Sequence, residues 1–153
     1  MRSYKVVIST CLLAAAVPAV VSAQSLGLNF GATDPDAATS GLLAEEVAGV
    51  VPAANWNNLE GPSGSGSGLV YDMAGSATSS SATVDWSSPN TWRSGGNNAF
   101  PEGPDKKLTS GYADSNATSE GGVQIQVTGL DAVFTSVAYD VIVYFVSDSS
   151  ADR

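Results

Sequence analysis

Residues 123–130 read Val-Gln-Ile-Gln-Val-Thr-Gly-Leu, and this stretch decides the fold class. Val123, Ile125 and Val127 alternate with Gln124, Gln126 and Thr128. A period of two puts all three apolar side chains on one face of a strand, whereas a helix would scatter them. The alternation predicts a strand with Val123, Ile125 and Val127 inward and the glutamines outward. Tyr139-Asp-Val-Ile-Val-Tyr-Phe-Val146 alternates at first and then turns apolar on both faces. That pattern predicts a central strand buried on both sides near its end. A leucine-bearing turn at Gly129-Leu130, followed by a tyrosine opening the next strand, matches the tyrosine corner of Greek-key sandwiches. It assigns the Tyr139 hydroxyl an architectural role, pinning the crossover to the backbone.

The same period recurs upstream. Ser25–Phe30 reads as a first strand and Gly68–Met73 as another, and Ser81–Trp86 places Ala82, Val84 and Trp86 on one face. Leu108–Tyr112 reads as a short extended segment. Helical signal is scarce: only Ala37–Ala48 could hold a turn or two, and Gly41 weakens it. Val47–Val51 reads as a strand or as an extended approach to Trp56. The run Gly61–Gly68, "GPSGSGSG", reads as a surface loop, because strand-like sequence resumes on both sides. Ser87–Pro104 and Asp114–Gly122 read as polar loops. The first is long and carries Trp92 and Phe100, so it is either packed down onto the domain or functional. The fold class is all-β, an antiparallel β-sandwich or jelly-roll-like domain. The chain stops at Arg153, just after its strongest strand pattern. A central strand needs neighbours, so a C-terminally truncated domain is expected, with an acidic tail on a complete domain as the alternative.

The first 23 residues read as a cleaved signal peptide. Arg2 and Lys5 form a positive start, Val6–Val21 is an apolar run, and Val21-Ser22-Ala23 is a small-x-small cleavage site. Cleavage leaves Gln24–Arg153 as a single domain of about 130 residues, long enough for an ordinary core. The lone cysteine, Cys11, leaves with the signal, so neither disulfides nor thiol chemistry remain. Of six basic residues Arg2 and Lys5 also leave, so four face fifteen acidic ones, a formal charge of −11. Such a surface repels nucleic acid and anionic lipid, and no membrane span is expected once the signal is gone.

The chain has no histidine. Serine triads, thiol proteases and ordinary transition-metal sites therefore lack their usual parts. Paired carboxylates could run glycoside hydrolysis, and Glu45, Glu46, Glu60, Asp85 and Glu102 are the candidates, but none has a distinctive context. The expectation is a non-enzyme without a cofactor. Calcium is conceivable through Asp34, Asp36, Asp114 and Asn116 in polar loops, although no calcium motif is present. Asn116-Ala-Thr118 fits a glycosylation acceptor.

Carbohydrate binding has the better inventory, because sugar sites stack an exposed aromatic ring on a pyranose and fix its hydroxyls with amides. In "SSPNTWRSGGNN", Trp92 is the candidate platform, with Asn90, Arg93, Asn97 and Asn98 around it. Trp86 lies on an apolar strand face and reads as core. Trp56, in "VPAANWNNL" (Val51–Leu59), reads as a core-edge anchor whose neighbours Asn55, Asn57 and Asn58 bond to local backbone.

"LGLNFG", "GVVPAANWNNL", "KLTSGYAD" and "VQIQVTGL…YDVIVYF" together resemble an uncharacterised domain of secreted proteins from environmental Gram-negative bacteria. Some of those proteins end in a C-terminal sorting signal. The resemblance spans nearly all of the chain beyond residue 23, and the family form continues with a further strand after the last one here. It implies an extracellular β-sandwich loosely like carbohydrate-binding or galactose-binding-like modules, and supplies no catalytic residues. The expected function is a secreted binding module, with polysaccharide or cell-surface components as partners. The alternative is a structural or adhesion segment of a surface protein with no small ligand.

Overall fold

The computed structural model describes residues 24–31, 41–93, 102–115 and 122–144. The signal segment, Asp34, Asp36, Asn97, Asn98, Phe100, Asn116–Thr118 and the tail from Phe145 lie outside the described residues. The described chain is mostly strand, in several small and largely antiparallel sheets. In chain order the strands are β1 (Gln24–Ser25), β2 (Leu28–Phe30), β3 (Asn57–Leu59), β4 (Ser63–Gly66), β5 (Val70–Met73), β6 (Ser76–Ser79), β7 (Thr83–Ser87), β8 (Asn90–Arg93), β9 (Gly111–Asp114) and β10 (Gln124–Thr128). Among the described residues two short helices join them, α1 (Pro104–Leu108) and α2 (Ala132–Thr135).

One sheet runs β10-β7-β4 and another β1-β5-β6, while β2-β3 and β8-β9 form two-stranded pairs. All pairings are antiparallel except β2–β3, in which Leu28 faces Asn57 and Phe30 faces Leu59 in parallel register. That parallel pair departs from the all-antiparallel expectation. It arises because residues 24–30 form one extended segment that pairs first with β5 and then with β3.

The principal core gathers Leu59, Leu69, Ala82 and Val84, with Leu26, Leu28, Phe30, Trp86, Val127 and Leu130 packed around them. Ala82, Val84 and Trp86 thus share the inner face that alternation assigns to them. The Gly61–Gly68 run corrects the sequence reading: Ser63–Gly66 is a strand paired along β7, with Gly64 opposite Trp86 and Gly66 opposite Val84. Glycine is what this position needs. A Cβ on Gly64 would lie 2.5 Å from the Trp86 indole, which crosses the bare backbone there. The indole N–H then donates to Gly61 O (3.1 Å), and the ring meets Phe30 edge-on at 6.0 Å. Low β-propensity hid a strand whose missing side chains make room for its neighbour's.

Trp56 follows the same logic. Its indole lies over Gly27, where a Cβ would approach to 2.7 Å, and its N–H donates to Ala53 O (2.9 Å). Leu42, Ala48 and Leu108 form a second small core beside Trp56 and Tyr144. The flanking asparagines complete the explanation of this stretch. Asn58 accepts from Leu42 N and donates to Leu42 O, and it also receives Asn29 Nδ2. Asn57 accepts from Val70 N and donates to Val70 O and Gly27 O. Extending the β1–β5 register from Ser25↔Asp72 by two residues puts Gly27 opposite Val70. The Asn57 carboxamide therefore fills the place where the ladder parts and holds the segment as it passes from β5 to β3. Asn55, at φ 56°, donates to the buried Asp72 carboxylate, which also accepts from Gly75 N in the β5–β6 turn.

Several expectations are overturned. Of the helix expected over Ala37–Ala48, residues 41–48 are not helical and turn instead, with Ala48 bridging back to Ala53, while residues 37–40 lie outside the described residues. Leu43 N donates to Glu46 Oε2, a local bond that closes the turn early. Val47, Val50 and Val51 stay exposed on that loop and form no strand. Strand β10 has the predicted face, since Ile125 and Val127 lie opposite Trp86 and Val84. Only Val127 packs onto the core, however: Ile125 is 47% exposed, and Val123, also expected inward, lies exposed just before the strand. Residues 139–144 form no strand, and Val141 is 78% exposed. Tyr139 is also exposed and makes no tyrosine corner. Tyr144 supplies the pin: its hydroxyl accepts from Val50 N (3.0 Å), and its ring meets Trp56 edge-on at 6.2 Å. The turn after β10 is fixed by Asp131, whose carboxylate accepts from the Ser80 hydroxyl and from Ser81 N and Oγ.

Candidate functional site

Strand β8 falls inside the stretch that reads as a loop, and β9 pairs with it. The register sets Asn90 opposite Asp114, Thr91 opposite Ala113, Trp92 opposite Tyr112 and Arg93 opposite Gly111. Helix α1 delivers β9: Pro104 opens it, and Thr109 and Ser110 hydroxyls close it by donating to Asp105 O and Lys106 O. Lys106 pairs with Glu102 one turn earlier, and Lys107 pairs with Glu46 at 2.5 Å, tying α1 to the 41–48 turns. The hairpin is seated on β2 through Gly31, at φ 70°, where a Cβ would approach Tyr112 N to 2.8 Å.

Alternation then sorts the hairpin into two faces. Buried Thr91, with Arg93, Gly111 and Ala113, faces the domain. Asn90, Trp92, Tyr112 and Asp114 share the outer face, and Trp92 is 54% exposed. Directly opposed residues in an antiparallel pair have Cβ atoms about 5 Å apart, so Trp92 and Tyr112 project side by side from this face. The Asn90 amide, the Trp92 indole and the Asp114 carboxylate have no hydrogen-bond or ion-pair partner among the described residues. Asn29, Asn55, Asn57 and Asn58 are, by contrast, all engaged.

Of the residues expected around Trp92, Asn90 is therefore brought onto its face. Arg93 is not, because alternation sets it on the other side of the strand, and it has an interaction of its own. Asn97 and Asn98 lie outside the described residues. Sequence reasoning missed Tyr112 and the placement of Asp114. Alternation in "GYAD" was the available signal, but its pairing with β8 could not be read from either strand alone.

The other candidate carboxylates are ion-paired or simply exposed. Glu46 and Glu102 are ion-paired with lysines, and Glu45, Glu60 and Asp85 are exposed. The Lys107 ammonium, followed by Leu43 N–H, holds the Glu46 carboxyl below its ordinary range. The Ser80 hydroxyl, followed by Ser81 N–H and hydroxyl, does the same for Asp131. No group of three acidic, histidine or cysteine side chains converges among the described residues. A hollow of about 120 Å³ lies between Gly49, Val50, Asp105, Leu108, Thr109 and Tyr144. It is smaller than ordinary ligand sites, and Asp105 already accepts from Gly49 N there (2.8 Å). No helix of the described chain is long and apolar enough to cross a membrane.

No protein-family model, curated protein or solved structure matches the chain.

Proposed function

We propose that the protein is a secreted, non-catalytic binding module, a β-sandwich that presents the outer face of the β8–β9 hairpin to polysaccharide. The carrying observation is the contrast in polar satisfaction. Asn57 and Asn58, beside Trp56, spend their amides on backbone, whereas the Asn90 amide and the Asp114 carboxylate have no partner among the described residues and sit beside an exposed indole. An aromatic surface flanked by unspent amide and carboxylate groups suits a sugar, which offers an apolar ring face and a rim of hydroxyls. Arg2, Lys5, the apolar run and Val21-Ser22-Ala23 support secretion.

The test is retention of the folded chain on a panel of insoluble and soluble polysaccharides, beside a Trp92→Ala variant. Retention on at least one glycan, lost in the variant, supports the reading. A folded protein that no glycan retains sinks it. One observation favours a structural or adhesion role instead: Val137, Tyr139, Val141, Ile142 and Val143 present an exposed apolar strip. A chain that ignores glycans but self-associates through that strip would support this second reading.

A further inference from the structure

The charges around the β8–β9 face narrow the class of glycan, an inference that rests on the polysaccharide reading. Beyond residue 23 the chain has only Arg93, Lys106, Lys107 and Arg153 as cations. Lys106 and Lys107 are ion-paired with Glu102 and Glu46, and Arg93 belongs to the opposite face of its strand. Arg153 lies outside the described residues. The described part of the platform therefore carries no cation to meet a uronate or a sulfate. It does carry an anion. Asp114 shares the outer face with Trp92, two pairs along the ladder, and has no hydrogen-bond or ion-pair partner among the described residues. Two strand positions span about 7 Å, so a sugar ring stacked on the indole holds its substituents within reach of that carboxylate.

We infer that this face selects glycans bearing free amino groups, polymers of glucosamine type, over neutral sugars, and rejects polyuronates. The ammonium would meet Asp114 while the ring stacks on Trp92 and Asn90 bonds a hydroxyl. At contact distance in water, a unit-charge pair corresponds to about fivefold in affinity, and salt screens it.

The experiment titrates the chain with β-linked glucosamine oligomers, with the same oligomers N-acetylated, and with uronate oligomers, in low and in molar salt. Trp92→Ala, Asp114→Asn and Asp85→Asn variants run alongside. Asp85 is exposed on β7, which is not part of the β8–β9 pair, and controls for bulk charge. The expected result is about fivefold preference for the amino form, removed by Asp114→Asn and by molar salt and kept by Asp85→Asn. A preference unchanged in Asp114→Asn, or lost equally in Asp85→Asn, overturns the inference. So does equal binding of the uronates. In those cases Trp92→Ala still abolishes binding, and the polysaccharide reading survives. If none of these oligomers binds, the inference falls, and the polysaccharide reading falls with it only when the wider glycan panel also fails to retain the folded chain.

Discussion

Replacing Asn57 with alanine removes three hydrogen bonds at the point where the first strand changes partners. Its side chain accepts from Val70 N at 2.9 Å and donates to Val70 O and Gly27 O at 2.7 and 2.8 Å. At a net 0.5–1.5 kcal/mol per bond, the expected loss is about 2–4 kcal/mol. The Val70 and Gly27 groups sit too close to the core for water to replace all three bonds. Domains of this size are stable by only about 5–15 kcal/mol, so the variant should unfold at clearly lower denaturant. Asn57→Asp is the sharper perturbation. It keeps an acceptor for Val70 N–H but turns a carboxylate toward two carbonyl oxygens, so it should cost at least as much as alanine at neutral pH. Urea unfolding monitored by tryptophan fluorescence measures both, with Asn90→Ala as an exposed control expected within about 0.5 kcal/mol of the parent. An Asn57→Ala variant as stable as the control would refute the idea that this amide holds the two sheets together.

Gly64→Ala should destabilise by about 1–3 kcal/mol and alter the near-ultraviolet dichroism of Trp86, since its Cβ meets the indole at 2.5 Å; an unchanged spectrum and midpoint would contradict the packing described. Asp131 and Glu46 have folded-state pKa values below their ordinary 3.8 and 4.5, so their stabilisation is complete above those values and is lost as pH falls through the lower folded-state values. The urea midpoint should therefore drop on acidification below about pH 4.5, and less steeply in Asp131→Asn; equal slopes would exclude Asp131 as a contributor. The strip from Val137 to Val143 should bind a hydrophobic dye, and the signal should fall in a Val141→Lys, Ile142→Lys double variant. Dye fluorescence that ignores those substitutions would place the apolar surface elsewhere.

Where one strand buries one face against the core, alternation alone was enough: Ala82, Val84 and Trp86 point inward as their spacing requires. The Trp56 stretch was legible in part: its asparagines are engaged beside a half-buried ring, but Asn57 and Asn58 reach distant backbone at Gly27, Val70 and Leu42 and Asn55 reaches the Asp72 carboxylate, in place of the local backbone expected. Ser63–Gly66 was not, since a glycine strand looks like a loop unless the indole crossing it is known. The segment from Tyr139 to Tyr144 has the composition of a central strand, but burial depends on what lies beside it, and no neighbour pairs with it among the described residues. The candidate site was half legible. Trp92 and Asn90 stand out by residue type, whereas Arg93 turned away and Tyr112 and Asp114 came into place through a pairing across about twenty residues of intervening chain. Side-chain chemistry is local, but the face on which it collects is set by register.

The three indoles of this chain allow the central claim to be read directly. Trp56 and Trp86 donate their ring N–H groups to Ala53 O and Gly61 O, while the Trp92 N–H has no partner among the described residues. In a titration of the ¹⁵N-labelled protein with soluble oligosaccharide, the Trp92 indole resonance, assigned through Trp92→Phe, should shift alone and saturably. A shift confined to Trp56 or Trp86, or no indole shift with any glycan, would contradict the account.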